Sequence, residues 1–241
     1  MFNTKPVITS VIIIALLVCV IKNFAARNNF VQQQNHVPVV KIISPANNNT
    51  VKAGSQIHYE VSVSDKEDGE SKYDEIDTKQ VLLEVKYVSD ASKLASNIAK
   101  EQDAPGLAAI KTSNCFNCHG FNTKVIGPSF NDINKKYKPT AANMALLQKR
   151  IKEGSVNVWG KTAMPTHPEL SDAQIKNMVQ WIMQNASAAG VQYSIGLEGN
   201  FILPSTNTTG GYVITASYTD HGVNNAGQRL QGKDAITVKL N

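Results

Sequence analysis

The chain has 241 residues, a formal charge of +5 and 42% hydrophobic residues, which suits one or two globular domains and excludes a disordered or collagen-like polypeptide. Its lysines are scattered, with no arginine-rich stripe and no basic helix interleaved with aromatics, so nucleic acid is not an expected partner. In chain order, an uncharged apolar run over residues 7–21 comes first, with Lys5 before it and Lys22 after it. Residues 1–22 therefore read as a signal peptide or membrane anchor helix, and export follows under either reading. Three fates stay open: an uncleaved anchor, cleavage without a clean small-x-small site, and lipidation of Cys19, because Leu16-Leu17-Val18-Cys19 resembles a lipoprotein box. Residues 23–38 are rich in Asn and Gln and read as a linker, with His36 a solvated residue in it.

From Val39 the pattern has period two, predicting strands over 39–43, 57–63 and 81–87, and it returns over 212–218 and 235–240. Between these flanks, from Pro105 to Ser187, the apolar spacing is helical. Neither flank, at about fifty residues, is expected to bury enough apolar surface to stand alone. The reading is an all-β sandwich, with its N-terminal half over 39–99 and its C-terminal half over 190–241, into which an all-α domain over 100–189 is inserted. Two small separate β units are the alternative. The flanks resemble the halves of bacterial Ig-like repeats of the PKD and cadherin-like kind, in residues 40–45 with Ala53-Gly54-Ser55 and in residues 211–220. Residues 65–77 hold an acidic cluster around a glycine; such carboxylates are able to ligate calcium, but the EF-hand spacing is absent and charged loops are usually solvated.

The chemistry concentrates in Cys115-Phe116-Asn117-Cys118-His119. The chain has only three cysteines, and no second Cys or His pair follows that would complete a structural zinc site. A redox dithiol belongs at a helix start in a βαβ setting, whereas here helix precedes and loop follows. The C-x-x-C-H spacing is the attachment signal for haem c, in which both thiols bond the porphyrin and the adjacent imidazole reaches the iron. A sixth ligand is then needed. Met164 lies in a loop and is followed by Pro165, whereas Met144, Met178 and Met183 sit in helical runs where methionine fills core. His167 or an open position are the other options.

These motifs carry a resemblance. Residues 103–186 resemble a class I cytochrome c of the small single-haem bacterial type, in Cys115–His119, residues 124–130, residues 147–155, Val158-Trp159-Gly160 and the Met164-Pro165 pair. The resemblance implies one covalently attached haem c, with thioethers from Cys115 and Cys118, His119 as proximal and Met164 as distal ligand. It also implies that the Pro128 carbonyl accepts from the free His119 ring nitrogen, and that Arg150 and Trp159 hydrogen-bond the propionates. Trp159 as plain core and Arg150 as a solvated helix residue are the bland alternatives. One departure is His167, which stands where such proteins often carry an amide. The expected function is a periplasmic or surface electron carrier, tethered through its N-terminus, exchanging electrons with protein partners. The alternatives are an electron-accepting subunit of a quinoprotein-type sugar dehydrogenase, since similar arrangements occur beside such enzymes, and a haem-based gas sensor. No Gly-rich dinucleotide loop or nucleophile elbow argues for an enzyme.

Overall fold

In the computed structural model, residues 34–98, 101–225 and 227–241 are described; the N-terminal apolar run and Cys19 lie outside them. Nine strands occur among these residues: β1 (Val39–Ser44), β2 (Asn49–Val51), β3 (Gln56–Asp65), β4 (Gly69–Glu70), β5 (Leu82–Val88), β6 (Val191–Ile195), β7 (Glu198–Ile202), β8 (Gly211–Thr219) and β9 (Gln231–Leu240). One sheet is built on β3, which pairs antiparallel with β1 along one edge and with β7 and β4 along the other. The second sheet has the order β2-β9-β8-β5-β6. Within it β5 lies between β8 and β6, with Leu82 opposite both Ser217 and Ile195. Strands from before and after the helical segment therefore share one sheet.

The facing residues of the two sheets form one apolar core, including Val61, Val63, Leu83, Val85, Tyr212, Ile214 and Tyr218. Because side chains alternate along a strand, Leu83 and Val85 point into this core while Leu82 and Glu84 point to the other face. That outer face is covered as well. Leu82, Tyr193 and Ile195 pack with Leu107, Ile110, Phe121 and Trp181 of the helical segment.

The helical segment consists of α1 (Pro105–Thr112), α2 (Phe130–Lys136), α3 (Ala141–Glu153) and α4 (Asp172–Asn185). Pro105 starts α1 at the position where its missing N–H costs nothing. Ser129, Thr140 and Ser171 cap the other three helices, and Ser171 forms a reciprocal capping box with Gln174. α1 crosses α4 at Gly106, where an added Cβ would lie 2.2 Å from the Asn177 carbonyl oxygen, so only glycine allows this approach.

A buried polar cluster fastens α1 to the sheet. Lys111 is 2% exposed, and its Nζ donates to Asp103 Oδ2 at 2.9 Å and to Ser217 Oγ at 2.8 Å. Lys233 reaches Asp103 Oδ1 at 2.8 Å, and Gln231 donates to Asp103 Oδ2 at 2.6 Å. His36, expected as a solvated linker residue, keeps 41% of its side chain exposed but also makes a contact: its Nδ1 lies 2.7 Å from Glu67 Oε1, which ties the start of the described chain to the sandwich.

Candidate functional site

The site begins where α1 ends. Asn114 adopts a left-handed conformation with φ 57°, which Asn tolerates better than most residues, and turns the chain into a 3-10 turn at Cys115–Asn117. Cys118 N and His119 N both donate to the Cys115 carbonyl, at 3.1 and 2.9 Å. This winding brings Cys115 and Cys118 to one side, followed at once by the His119 ring. The loop then folds back, and Ile126 N and Gly127 N donate to the Cys118 carbonyl at 3.1 and 2.9 Å.

His119 is held on several sides. Its Nδ1 lies 2.7 Å from the Pro128 carbonyl oxygen, so Nδ1 carries the proton and Nε2 keeps its lone pair. Phe130 stacks on the ring with centroids 5.5 Å apart. Gly127 closes a third side, where an added Cβ would lie 2.6 Å from His119 Cε1. Burial lowers the basicity of His119 below the ordinary histidine range, which favours the neutral, ligating form.

The facing wall comes from α3 and the loop after it. Met164 N donates to Ser155 O at 2.8 Å and Ser155 N returns to Met164 O at 3.1 Å, pinning the methionine backbone. Gly154, with φ 77°, turns the chain at this bridge, and a Cβ there would lie 2.8 Å from Met164 O. Between the walls lies a cavity of about 330 Å³, lined by Cys115, Cys118, His119, Pro128, Arg150, Trp159, Met164 and His167 among others. All seven residues singled out for cofactor and metal binding therefore meet at one cavity.

Arg150 stacks over the Tyr137 ring at 5.3 Å and donates to its hydroxyl. Trp159 is 37% exposed at the rim, with Lys136 Nζ 4.3 Å from its ring centre. The sequence reading missed Ser155, Phe130 and Tyr137 as supports. The Gly127-Pro128 pair just after the cysteine motif was the available signal for a backbone approach to His119.

The donor set decides what the cavity can hold. Burial pushes the Cys115 thiol up to about 12, so it is not the low-pKa thiolate that redox exchange requires. Among the described residues neither Cys115 nor Cys118 has a disulfide partner, and no three His, Cys, Asp or Glu side chains are arranged to hold a metal ion. In the acidic stretch 65–77, Asp65 turns the chain, its Oδ1 accepting from Glu67 N and Asp68 N at 2.9 and 2.8 Å while, among the described residues, its buried Oδ2 has no partner. The cavity falls within the size range of small-molecule sites, and it offers two thiols, an imidazole lone pair and a thioether. Those residues fit a covalently held haem.

Fold and site thus define a protein of the haem c-attaching class. The cytochrome c family matches residues 104–186, and the chain belongs to that family. It is 41% identical over 73 residues to cytochrome c-552 of Nitrosomonas europaea, covering 30% of this chain and 71% of the relative. It is 43% identical over 72 residues to cytochrome c2 of Rubrivivax gelatinosus, covering 29% and 85%. It is 36% identical over 73 residues to cytochrome c-551 of Azotobacter vinelandii, covering 30% and 88%. The chain carries haem c with its iron, covalently attached, and is a haem-based electron carrier.

Proposed function

We propose that the protein is an exported one-electron carrier in which His119 and Met164 would hold the haem iron and Cys115 and Cys118 would bind the porphyrin through thioethers. When bound, the haem supplies an iron that alternates between ferrous and ferric states. The carrying observation is the pairing across one cavity of a neutral, oriented His119 with the backbone-pinned Met164. A thioether donor favours the ferrous state and raises the potential relative to two imidazoles. Arg150 and Trp159, at the same cavity, are the proposed partners of the propionates. In this reading the β part is an Ig-like domain, the N-terminal run exports and tethers the chain, and the work is done in the periplasm or at the cell surface.

The ligand assignment has a direct test. The oxidised holoprotein is expected to show the weak near-infrared sulfur-to-iron band, and Met164→Ala is expected to abolish it. A band that survives the substitution, or one absent from the unmodified protein, removes Met164.

A further inference from the structure

His119 shares its cavity with a second imidazole. His167 lines the same space as Met164, three residues further along the chain, with its side chain 22% exposed. Its Nδ1 lies 2.9 Å from Glu169 Oε1, so that nitrogen carries the proton and Nε2 keeps a lone pair. The Pro128 carbonyl imposes the same division on His119. A carboxylate on one ring nitrogen is the usual outer partner of an imidazole that ligates a metal through the other, because it fixes the tautomer and strengthens the donor.

The backbone around His167 is also anchored. His167 N donates to the Lys152 carbonyl at the end of α3, and Leu170 N donates to the His167 carbonyl, both at 3.3 Å. Leu170 itself is buried, so the turn carrying the imidazole is tied both to the helix and to the core.

We infer that His167 is a reserve ligand: when the Met164 thioether is lost, the His167 imidazole takes the iron position opposite His119. The inference rests on the His119/Met164 reading. Its consequence is that losing the methionine exchanges one closed site for another rather than opening the iron to a gas. The replacement has a direction, because an imidazole in place of a thioether lowers the reduction potential.

The experiment compares the unmodified holoprotein, Met164→Ala and the double variant Met164→Ala/His167→Ala, by ferric absorption and electron paramagnetic resonance and by carbon monoxide titration after reduction. Met164→Ala is expected to lose the sulfur-to-iron band yet stay low-spin, and to bind carbon monoxide at least about tenfold more weakly than the double variant, a gap of roughly 1.4 kcal/mol. The double variant is expected to be high-spin. A high-spin Met164→Ala protein overturns the inference, as does a low-spin spectrum that persists in the double variant, since another group would then supply the ligand. If Met164→Ala does not retain haem, Met164→Leu keeps the apolar bulk and is read by the same criteria. The band in the unmodified protein reports separately on Met164, so a failure of the primary assignment is distinguishable from a failure of the reserve.

Discussion

At the scale of single residues, Asp65 shows a local cost: among the described residues its Oδ2 and Gln80 Oε1 are buried side-chain atoms without a hydrogen-bond partner. Asp65 is 5% exposed, and one carboxylate oxygen accepts two backbone N–H groups while the other finds no partner among the described residues. Burial, with Asp68 and Asp220 nearby, pushes its carboxyl above the ordinary aspartate value. Asp65→Asn keeps the accepting oxygen and places an amide donor beside those carboxylates. It is expected to stabilise the protein by about 1–3 kcal/mol at neutral pH, the usual cost of an unsatisfied buried polar group, read as a shift in denaturant midpoint. The sign with pH follows from linkage: the folded state holds the Asp65 proton more tightly, so the unmodified protein loses stability as pH rises from the ordinary aspartate value through the raised one. The gain from Asp65→Asn should therefore grow over that same interval. A variant no more stable than the parent at neutral pH counts against this account.

Among elements, the junction of α1 with β8 and β9 buries a charged cluster of Asp103, Lys111 and Lys233. Burial disfavours the Asp103 charge, but Lys111 and Lys233 beside it hold its carboxyl below the ordinary range. Asp103→Ala would strand two lysines, one of them fully buried, and is expected to cost about 3–5 kcal/mol. In the parent protein the depressed value means that this stabilisation is present above the ordinary aspartate pKa and is lost as pH falls through the folded one. Denaturant titrations of parent and variant at pH 7 and near pH 3 check it: the gap should narrow in acid.

This junction also shows what the sequence could reveal. The strands expected over 57–63 and 212–218 fall inside β3 and β8, because one face of each carries an unbroken alternation of apolar residues. The cysteine motif was legible because its spacing has few other uses, and the place of Met164 at the cavity because a proline follows it in a loop. β6 and β7 were not foreseen. Val191, Tyr193 and Ile195 do alternate, but the run is five residues long, and the Glu198-Gly199-Asn200 start of β7 has no strand character of its own. The strand expected over 81–87 overlaps β5, but the covering of both its faces was not foreseen. Its outer face mixes Leu82 with Glu84, so it reads as solvated unless the helices that cover it are known. Lys111 likewise looks like any surface lysine, since its partners lie more than a hundred positions away or across a loop.

For the whole molecule, charge is unevenly placed. Residues 101–190 hold ten basic and six acidic side chains, whereas residues 65–77 are predominantly acidic. Lys111 and Asp103 neutralise one another inside the junction, so the excess of base around the cavity faces solvent. Electron exchange with an acidic protein partner is therefore expected to be fast and to slow with added salt, as the screening length falls from about 10 Å at 0.1 M. Stopped-flow rates that stay flat or rise with ionic strength would exclude an acidic partner.

The interrupted sheet has a consequence in time. β5 and β6 are neighbours in space, yet about a hundred residues separate them, and closing a loop of that length costs conformational entropy that grows with the logarithm of its length. The helical segment relies on nearer contacts and should form first. Since α1 packs on α4, its formation brings the two ends of the loop together and leaves only about twenty residues to close, a saving of roughly 1.4 kcal/mol or up to about tenfold in rate. Cofactor attachment then acts as a clock for a sheet whose strands do not line its cavity: a Cys115→Ala/Cys118→Ala chain, unable to attach haem, should regain its β-sheet signal several-fold more slowly than the holoprotein after dilution from denaturant. Equal refolding rates would show that the sheet closes without waiting for the domain it surrounds.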